Sequence, residues 1–585
     1  MKKILSTAIF GLTLFYSITA QEVRHDNIWL FGKPPNNPEE MFGGSQLDFS
    51  SFPLEAGYFE IPFDFGEIAM ISDSSGQLLF YTNGCKIANR EHQIMVNGDS
   101  LNPGDSYNSF CELFGYPTSQ AEIVLPLPGS NHLYYLFHIQ EDDSHFNEFL
   151  LFSVIDMEKN GGLGEVVKKN QLLFTAHEFG QQVTCVRHAN GRDWWLVLPY
   201  STINIYNPSN KYFKFLFTPE GISGPFVQEI GEGWDYQFYS GQAAFSPNGE
   251  KYARMNPFNG VRLFDFDRCS GEFSNPLSIH FPEDTIVSGG VAFSPNNRFM
   301  YISASSKVYQ FDTWASDIEN SRKTVAVYDG FMSPFWTRFY QQMLAPNGKI
   351  YITAPNGVNM LHVINRPNLP GDSCKFEQHG LILPSFHDWN IPNFPHFRLG
   401  PVDGSSCDTL GLDNHPLAGF VYEVFPALTV GFTDNSSYEP TEWYWDFGDG
   451  ESSVQVNPVH EYATLGEYYV CLTVSNNYDS DTFCRWVEVD SVTTASVAIL
   501  HPQMTVQLWP NPASSEMHIS LPAPLTTPAE WRLYNAVGQM VHRTVIPAWQ
   551  REQSLSLAGV PPGLYLWQVR VEGRRVGNGK VVVEK

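Results

Sequence analysis

Positive charge is scarce in this sequence of 585 residues: 35 Lys and Arg stand against 62 Asp and Glu, a formal net charge of −27. That balance excludes sequence-independent binding to DNA or RNA, which needs clustered cations to neutralise phosphates and release counterions. Anionic lipid surfaces are disfavoured on the same ground. Long apolar runs are scarce too. Beyond the first twenty residues no stretch offers the ~18 consecutive apolar residues of a membrane-spanning helix. No Cys-x-x-Cys occurs and no Cys has a His at ligand spacing, so a zinc site is not expected. HExxH, GxSxG, GxGxxG and Walker-type loops are absent wherever a strand or helix would confirm them.

What is there is core-forming material. Hydrophobic residues make up 43% and aromatics 15%, which is incompatible with a disordered acidic polymer. At roughly 100–200 residues per domain, the length predicts about three to five domains. The N-terminus reads Met1-Lys2-Lys3, an apolar stretch from Ile4 to Ile18, then Thr19-Ala20 before Gln21-Glu22. A basic start, a short apolar run and a small final residue predict a secretory signal peptide over 1–20. No Cys stands at that cleavage site, so a lipid anchor through an N-terminal cysteine is not expected. The eight cysteines are Cys85, Cys111, Cys185, Cys269, Cys374, Cys407, Cys471 and Cys484, an even number that permits four disulfides in an exported chain.

From about Asn27 to about Arg398 short β-type runs, such as Leu78–Thr82, Trp194–Leu198 and Lys349–Thr353, alternate with Gly, Pro, Asn and Asp. Strands of about five residues with regular turn signals predict an all-β barrel, sandwich or propeller. A repeat decides among them. Gly241-Gln242-Ala243-Ala244-Phe245-Ser246-Pro247-Asn248-Gly249 recurs as Gly289-Gly290-Val291-Ala292-Phe293-Ser294-Pro295-Asn296-Asn297, and more loosely as Gln342-Met343-Leu344-Ala345-Pro346-Asn347-Gly348. The spacing from Phe245 to Phe293 is 48 residues and from Phe293 to Leu344 is 51, the period of one four-stranded propeller blade. Each copy places a strand, a Pro-Asn turn and a second strand in order. Residues 21–404 are accordingly expected to form a propeller of about seven blades.

Three segments then resemble known families. Asn27–Gly32, Leu47–Ser50, Ile71–Gly84 and Ile391–Phe394 resemble a group of exported β-propeller proteins of Bacteroidetes-type bacteria; the resemblance implies surface exposure and no general activity. Residues 405–490 carry 15 acidic residues and one basic residue, Arg485. Within them, Trp443-Tyr444-Trp445-Asp446-Phe447-Gly448-Asp449-Gly450, His460-Glu461-Tyr462, Gly466–Val470 and Leu472–Ser475 resemble a PKD domain, which implies an Ig-like sandwich with Trp445 and Tyr468 as core anchors. On that fold Cys471 and Cys484 fall on adjacent final strands, the pairing expected first. Residues 491–505 lack charge and read as a linker. From 506 to 585, four blocks resemble the type A C-terminal sorting domain of the type IX secretion system: Trp509-Pro510-Asn511-Pro512, Trp531–Val541 around Gly538, Leu555–Leu566 around Gly563 and Tyr565, and Gly579–Val583. That resemblance implies a small β-sandwich, recognition by the type IX machinery, removal of the tail and attachment of the body to surface lipopolysaccharide.

Chemistry-bearing clusters are few. His387-Asp388-Trp389, with His379 and His396, could supply a base with a carboxylate partner or a metal site; a loop packing into the last blade is the plainer expectation. His138, Glu141, Asp142, Asp143 and His145 could hold a divalent ion or form a solvated hairpin tip. Asp446 and Asp449 could hold calcium, or bond their own turn's N–H groups. No other cofactor is expected. Trp234, Tyr236, Phe238, Tyr239, Phe335, Trp336 and Tyr340 include candidates for stacking on sugar rings among blade-packing aromatics. The expected function is binding or adhesion at the cell surface: the propeller is the ligand platform for glycans or proteins, and the PKD domain a spacer or interaction module. The alternative is an extracellular hydrolase or lyase with its site in the propeller's central channel; a third, weaker one is a component of gliding or biofilm machinery.

Overall fold

The computed structural model describes residues 23–33, 37, 41–51, 54–66, 68–142, 147–176, 180–200, 208–234, 241–281, 289–389, 391–489, 506–521, 528–535, 540–548, 550–571 and 574–584. The signal-peptide and linker expectations lie outside them. The described fold is nearly all β, with one short α-helix, Asp105–Phe110, and three single 3-10 turns. Contacts divide it into two units: Met1–Tyr422, Phe432–Pro458 and Tyr469–Arg485 form the first; Glu423–Gly431, Val459–Tyr468 and Trp486–Lys585 form the second.

Seven antiparallel sheets succeed one another between Ile28 and His387. Blades 1 and 2 have three strands each, Ile28–Lys33, Gly43–Asp48 and Ala56–Phe59, then Ala69–Ser72, Leu78–Thr82 and Ile87–Asn89. Blades 3 to 7 have four strands each and begin at Glu122, Thr184, Gln242, Gly289 and Gln342. The repeat lies where these strands turn. In blades 5 and 6 the serine hydroxyl before Pro donates to the Asn two residues on, Ser246 to Asn248 and Ser294 to Asn296, both at 2.7 Å. The Asn248 N–H then reaches Asn297 Oδ1 in the next blade at 2.8 Å. Each turn therefore fastens itself and its neighbour, which is why Ser-Pro-Asn recurs.

Among the described residues blade 1 has no strand inside Ile28–Lys33, and residues 388–389 and 391–398 pack along that strand in its place. Lys33 pairs with Asp388, Trp29 packs on Phe394 and Asp26 pairs with Arg398, so this segment runs antiparallel to Ile28–Lys33. Pro392 and Pro395 have no N–H to donate, and the segment carries no ladder. The ring is thus closed by side chains from the two ends of the propeller sequence.

Residues 420–489 form two further sheets. Trp445 is fully buried, with its ring 5.1 Å from Phe420 and 5.3 Å from Phe432 across the sandwich. Tyr468 differs from its expectation. It is half-buried, stacks on the buried Tyr462 at 4.0 Å and hydrogen-bonds Thr464, so Tyr462 occupies the core position. The residues from Gln507 to Val583 form two sheets around Met517, Ile519, Trp531, Leu533, Leu555 and Val569.

Cys471 and Cys484 are joined, as are Cys85 with Cys111 and Cys269 with Cys407. Three bridges form where four were permitted. Cys185 and Cys374 are free, each buried in a different apolar cluster.

Candidate functional site

The propeller axis, where an enzyme of this architecture would place its site, is filled. Asn393 Nδ2 donates to the carbonyls of Glu122 (2.8 Å) and Val183 (2.9 Å), while its Oδ1 accepts from Gln120 at 3.1 Å. Gln120 also exchanges two hydrogen bonds with the Ala243 backbone, Gln341 reaches Ser119 and Gly241, the Gln242 amide exchanges two with the Gln342 backbone, and Gln342 Nε2 donates to the carbonyls of Gly290 and Tyr301. A plug of amide side chains at the starts of blades 3, 5 and 7 and on segment 391–398 occupies the axis. Among the described residues the amides at the axis are bonded to one another and to backbone groups, and no cluster of acids, bases or nucleophiles converges there.

The histidine clusters do not assemble as catalytic groups either. His387 is buried with its two ring nitrogens on the backbone carbonyls of Asp388 and Met360, and His396 sits on Phe245 O at 3.2 Å. His379 bonds the Thr337 hydroxyl at 2.8 Å. His138 is fully buried between Asn102 (2.6 Å) and Ser153 (3.0 Å), and burial pushes its pKa down to about 3, so it stays neutral. Glu141 accepts from Ser106 and donates its backbone N–H to Tyr116. Asp143 and His145 lie outside the described residues. Among the described residues only His132, Asp156 and Glu158 have metal-like spacing, on an open surface.

Asp446 accepts the Gly448 N–H at 2.9 Å and Asp449 the Glu451 N–H at 3.0 Å, so both carboxylates serve their own turn. Of the aromatics, Trp234 is buried beneath the Arg254 guanidinium, 3.7 Å from its ring, and Tyr340 is buried. Tyr236, Phe238 and Tyr239 lie outside the described residues. Phe335 and Trp336 are exposed, at 54% and 51%, and share their loop with exposed Phe331 and Met332.

Beside that loop lies a charged group that local sequence did not reveal. Lys33 Nζ contacts both oxygens of Asp388 at 2.8 Å, across 355 residues. Asp64, 8% exposed, is pushed up to about 7 by burial and by the Asp388 charge, against the pull of Lys33. Gly357 joins the two features: a Cβ there would lie 3.9 Å from the Phe335 ring and 4.0 Å from Asp388 Oδ1. The missing side chain brings the Phe335 ring and the Asp388 carboxylate, itself nearly covered, to either side of a bare backbone. Arg338 covers the Trp336 ring at 5.0 Å and Asn356 bonds its carbonyl, which hold the loop in place.

In the sorting motif, Asn511 Nδ2 donates to Lys580 O and its Oδ1 accepts from Val582, tying the first block to the last strand. Tyr565 is buried and its hydroxyl donates to Pro561 O. Pro510, Pro512 and Gly563 are exposed, and Gly538 lies outside the described residues.

Comparison with known proteins agrees with the last two of these sections of chain. Residues 424–490 match the PKD domain model and residues 507–584 the secretion system C-terminal sorting domain model. A pre-pro-metalloprotease PrtV of Vibrio cholerae is 29% identical over 126 residues, and collagenase ColQ1 of Bacillus cereus is 39% identical over 64. These matches cover 20% and 11% of this chain and only 13% and 6% of the two relatives. The crystal structure of the PrtV PKD1 domain is 35% identical, covering 13% of this chain and 98% of that one, at a TM-score of 0.13. A Lactobacillus plantarum protein of 13% identity covers 62% of this chain and 98% of its own, at a TM-score of 0.40. The chain is a secreted, cell-surface protein that joins a β-propeller to a PKD domain and a type IX secretion sorting domain.

Proposed function

We propose that the propeller is a binding platform for surface or extracellular glycans, engaged at the face that carries Phe335, Trp336, Gly357, Lys33, Asp64 and Asp388. The observation that carries this reading is the pair of exposed rings, Phe335 and Trp336, beside Gly357 and the Lys33–Asp388 ion pair. A sugar ring presents apolar C–H faces and a rim of hydroxyls. An aromatic face beside a fixed carboxylate and ammonium meets both requirements. The plugged axis supports a site on the rim. The body is retained at the surface after tail removal, attached to lipopolysaccharide, so the platform acts on what reaches the cell.

A glycan array probed with residues 21–490 tests it. Trp336→Ala and Gly357→Val should each weaken a hit at least tenfold without changing the unfolding midpoint; a hit that survives both substitutions refutes the assignment. One observation favours a second reading, extracellular hydrolysis. Asp64, pushed up to about 7 by burial beside the Asp388 carboxylate, has the protonation behaviour of a general acid. Asp64→Asn would then abolish turnover while leaving binding intact.

A further inference from the structure

The propeller's repeated turns converge on one face, and the PKD loop Asp434–Pro440 is seated on them. Asn435 Nδ2 donates to Pro346 O at 2.6 Å, and the Tyr438 hydroxyl lies in the field of Arg187 and Arg398. Tyr438 and Glu439 take left-handed backbone conformations, with φ of 62° and 53°, which turn the loop into the propeller mouth. The two surfaces do not close completely. A cavity of about 470 Å³ remains between the Pro-Asn turns of blades 5, 6 and 7, the exit of segment 396–400 and this loop.

We propose that this cavity is a binding site for a neutral polyhydroxylated compound of mono- to disaccharide size. Its volume falls within the ~300–1,000 Å³ of small-molecule sites, which favour domain junctions. The chemistry of its walls selects the class. Asn296 spends its side-chain oxygen on the Ser294 hydroxyl and the Arg298 N–H, Asn297 on the Asn248 N–H, and their amide nitrogens have no partner among the described residues. The Ser437 hydroxyl likewise has none, and the Trp443 ring supplies an apolar face. Donors, the Asp434 carboxylate as acceptor and one aromatic face are the complement of a sugar.

Charge excludes the competitors. The lining's one cation, Arg398, is taken by Asp26 at 2.6 and 2.7 Å. Burial pushes His396 down to about 4, so it is neutral. Asp434 and Glu439 are the other acids of the lining, both pushed up by burial, and with Arg398 held by Asp26 no lining cation is left to pair an anionic ligand. A divalent ion is not favoured either, because Asp434 and Glu439 are not among the described groups close enough to share one.

The test is isothermal calorimetry on the chain from 21 to 585 against glucose, galactose, mannose, N-acetylglucosamine, maltose and cellobiose, with calcium chloride and sodium phosphate as separate arms. At least one neutral sugar should bind saturably. Ser437→Phe, which fills the cavity, and Asp434→Asn, which keeps its shape, should each weaken that binding at least tenfold. Trp336→Ala on the rim should leave it unchanged, which separates this site from the glycan platform. No saturable sugar, a sugar whose binding survives both cavity substitutions or depends on Trp336, or binding of calcium or phosphate alone would each overturn the proposal. Near-ultraviolet circular dichroism checks that Ser437→Phe is folded, and Asp434→Asn carries the test if it is not.

Discussion

Replacing Glu122 by Gln should raise stability above neutral pH and remove a pH dependence that the native protein has. Glu122 is fully buried at the start of blade 3, and neither carboxylate oxygen meets a hydrogen-bond donor. Burial pushes its pKa from 4.5 up to about 8, since nothing solvates the charged form. Between those two values the folded protein keeps a proton that the unfolded chain has released, so stability falls as pH rises. The contribution is fully present below pH 4.5 and lost by pH 8. At ~1.4 kcal/mol per pH unit, the loss over that interval is on the order of 5 kcal/mol. Gln has nearly the same shape and no proton to lose. Urea unfolding followed by tryptophan fluorescence between pH 5 and 9 should give a stability difference that moves towards the variant by ~1.4 kcal/mol per unit and then levels near pH 8. Subtracting the two proteins cancels every other titrating group, Asp64 included. A difference that stays constant with pH refutes the account of Glu122 as an unsolvated acid.

The axial plug predicts that Asn393→Leu is strongly destabilising, by about 2–5 kcal/mol in the urea midpoint. It removes three hydrogen bonds and strands two buried carbonyls, at ~1–3 kcal/mol for each unsatisfied group. Iodoacetamide should label no cysteine in the native protein, two after denaturation without reductant and eight after reduction, as read by intact mass. Cys471→Ser with Cys484→Ser should cost about 3 kcal/mol, the loop-closure value for a separation of 13 residues, without changing sugar binding. EDTA should shift the unfolding midpoint by less than ~1 °C, because Asp446 and Asp449 already accept turn N–H groups.

The blades that repeat were legible because their turns repay conservation of pattern: Ser246 and Ser294 bond their Asn partners in the same geometry. Blade 1 was not legible in that way. Its inner position is filled by a segment some 360 residues later whose two prolines disguise it as a loop, and only packing against Trp29 and Asp26 reveals its role. Ile391–Phe394 did stand out as a motif, without its function being readable. Trp445 could be assigned to the sandwich core because a large aromatic on an alternating strand has nowhere else to go. Tyr468 could not be separated from Tyr462 by size alone, since which ring is buried depends on the turn at Thr464. The rim group was invisible for a plainer reason. Lys33, Asp64 and Asp388 are isolated charges in sequence, and the bare backbone beside them is marked by an absence, the side chain of Gly357.

The scarcity of positive charge acquires a sharper meaning from where the cations go. The chain from 21 to 505 carries a formal −32, and several of its arginines are spent inside. Arg254 and Arg262 are 2% exposed and Arg268 is 4% exposed, held by Trp234, Gln182, Glu232 and backbone carbonyls. Cations buried in this way stack, cap and pair, and they present little to solvent. The outward face is therefore more acidic than the count suggests. An anionic ligand approaching either site meets repulsion screened over a Debye length of ~10 Å at 0.1 M salt, whereas a neutral sugar meets none. Raising sodium chloride from 20 to 500 mM should leave neutral-glycan affinity within a factor of about two, and should strengthen any uronate or sulfated binding measured beside it. Affinity for an anionic glycan that falls steeply with salt would mean that free cations line the site, and would refute both the charge argument and the choice of ligand built on it.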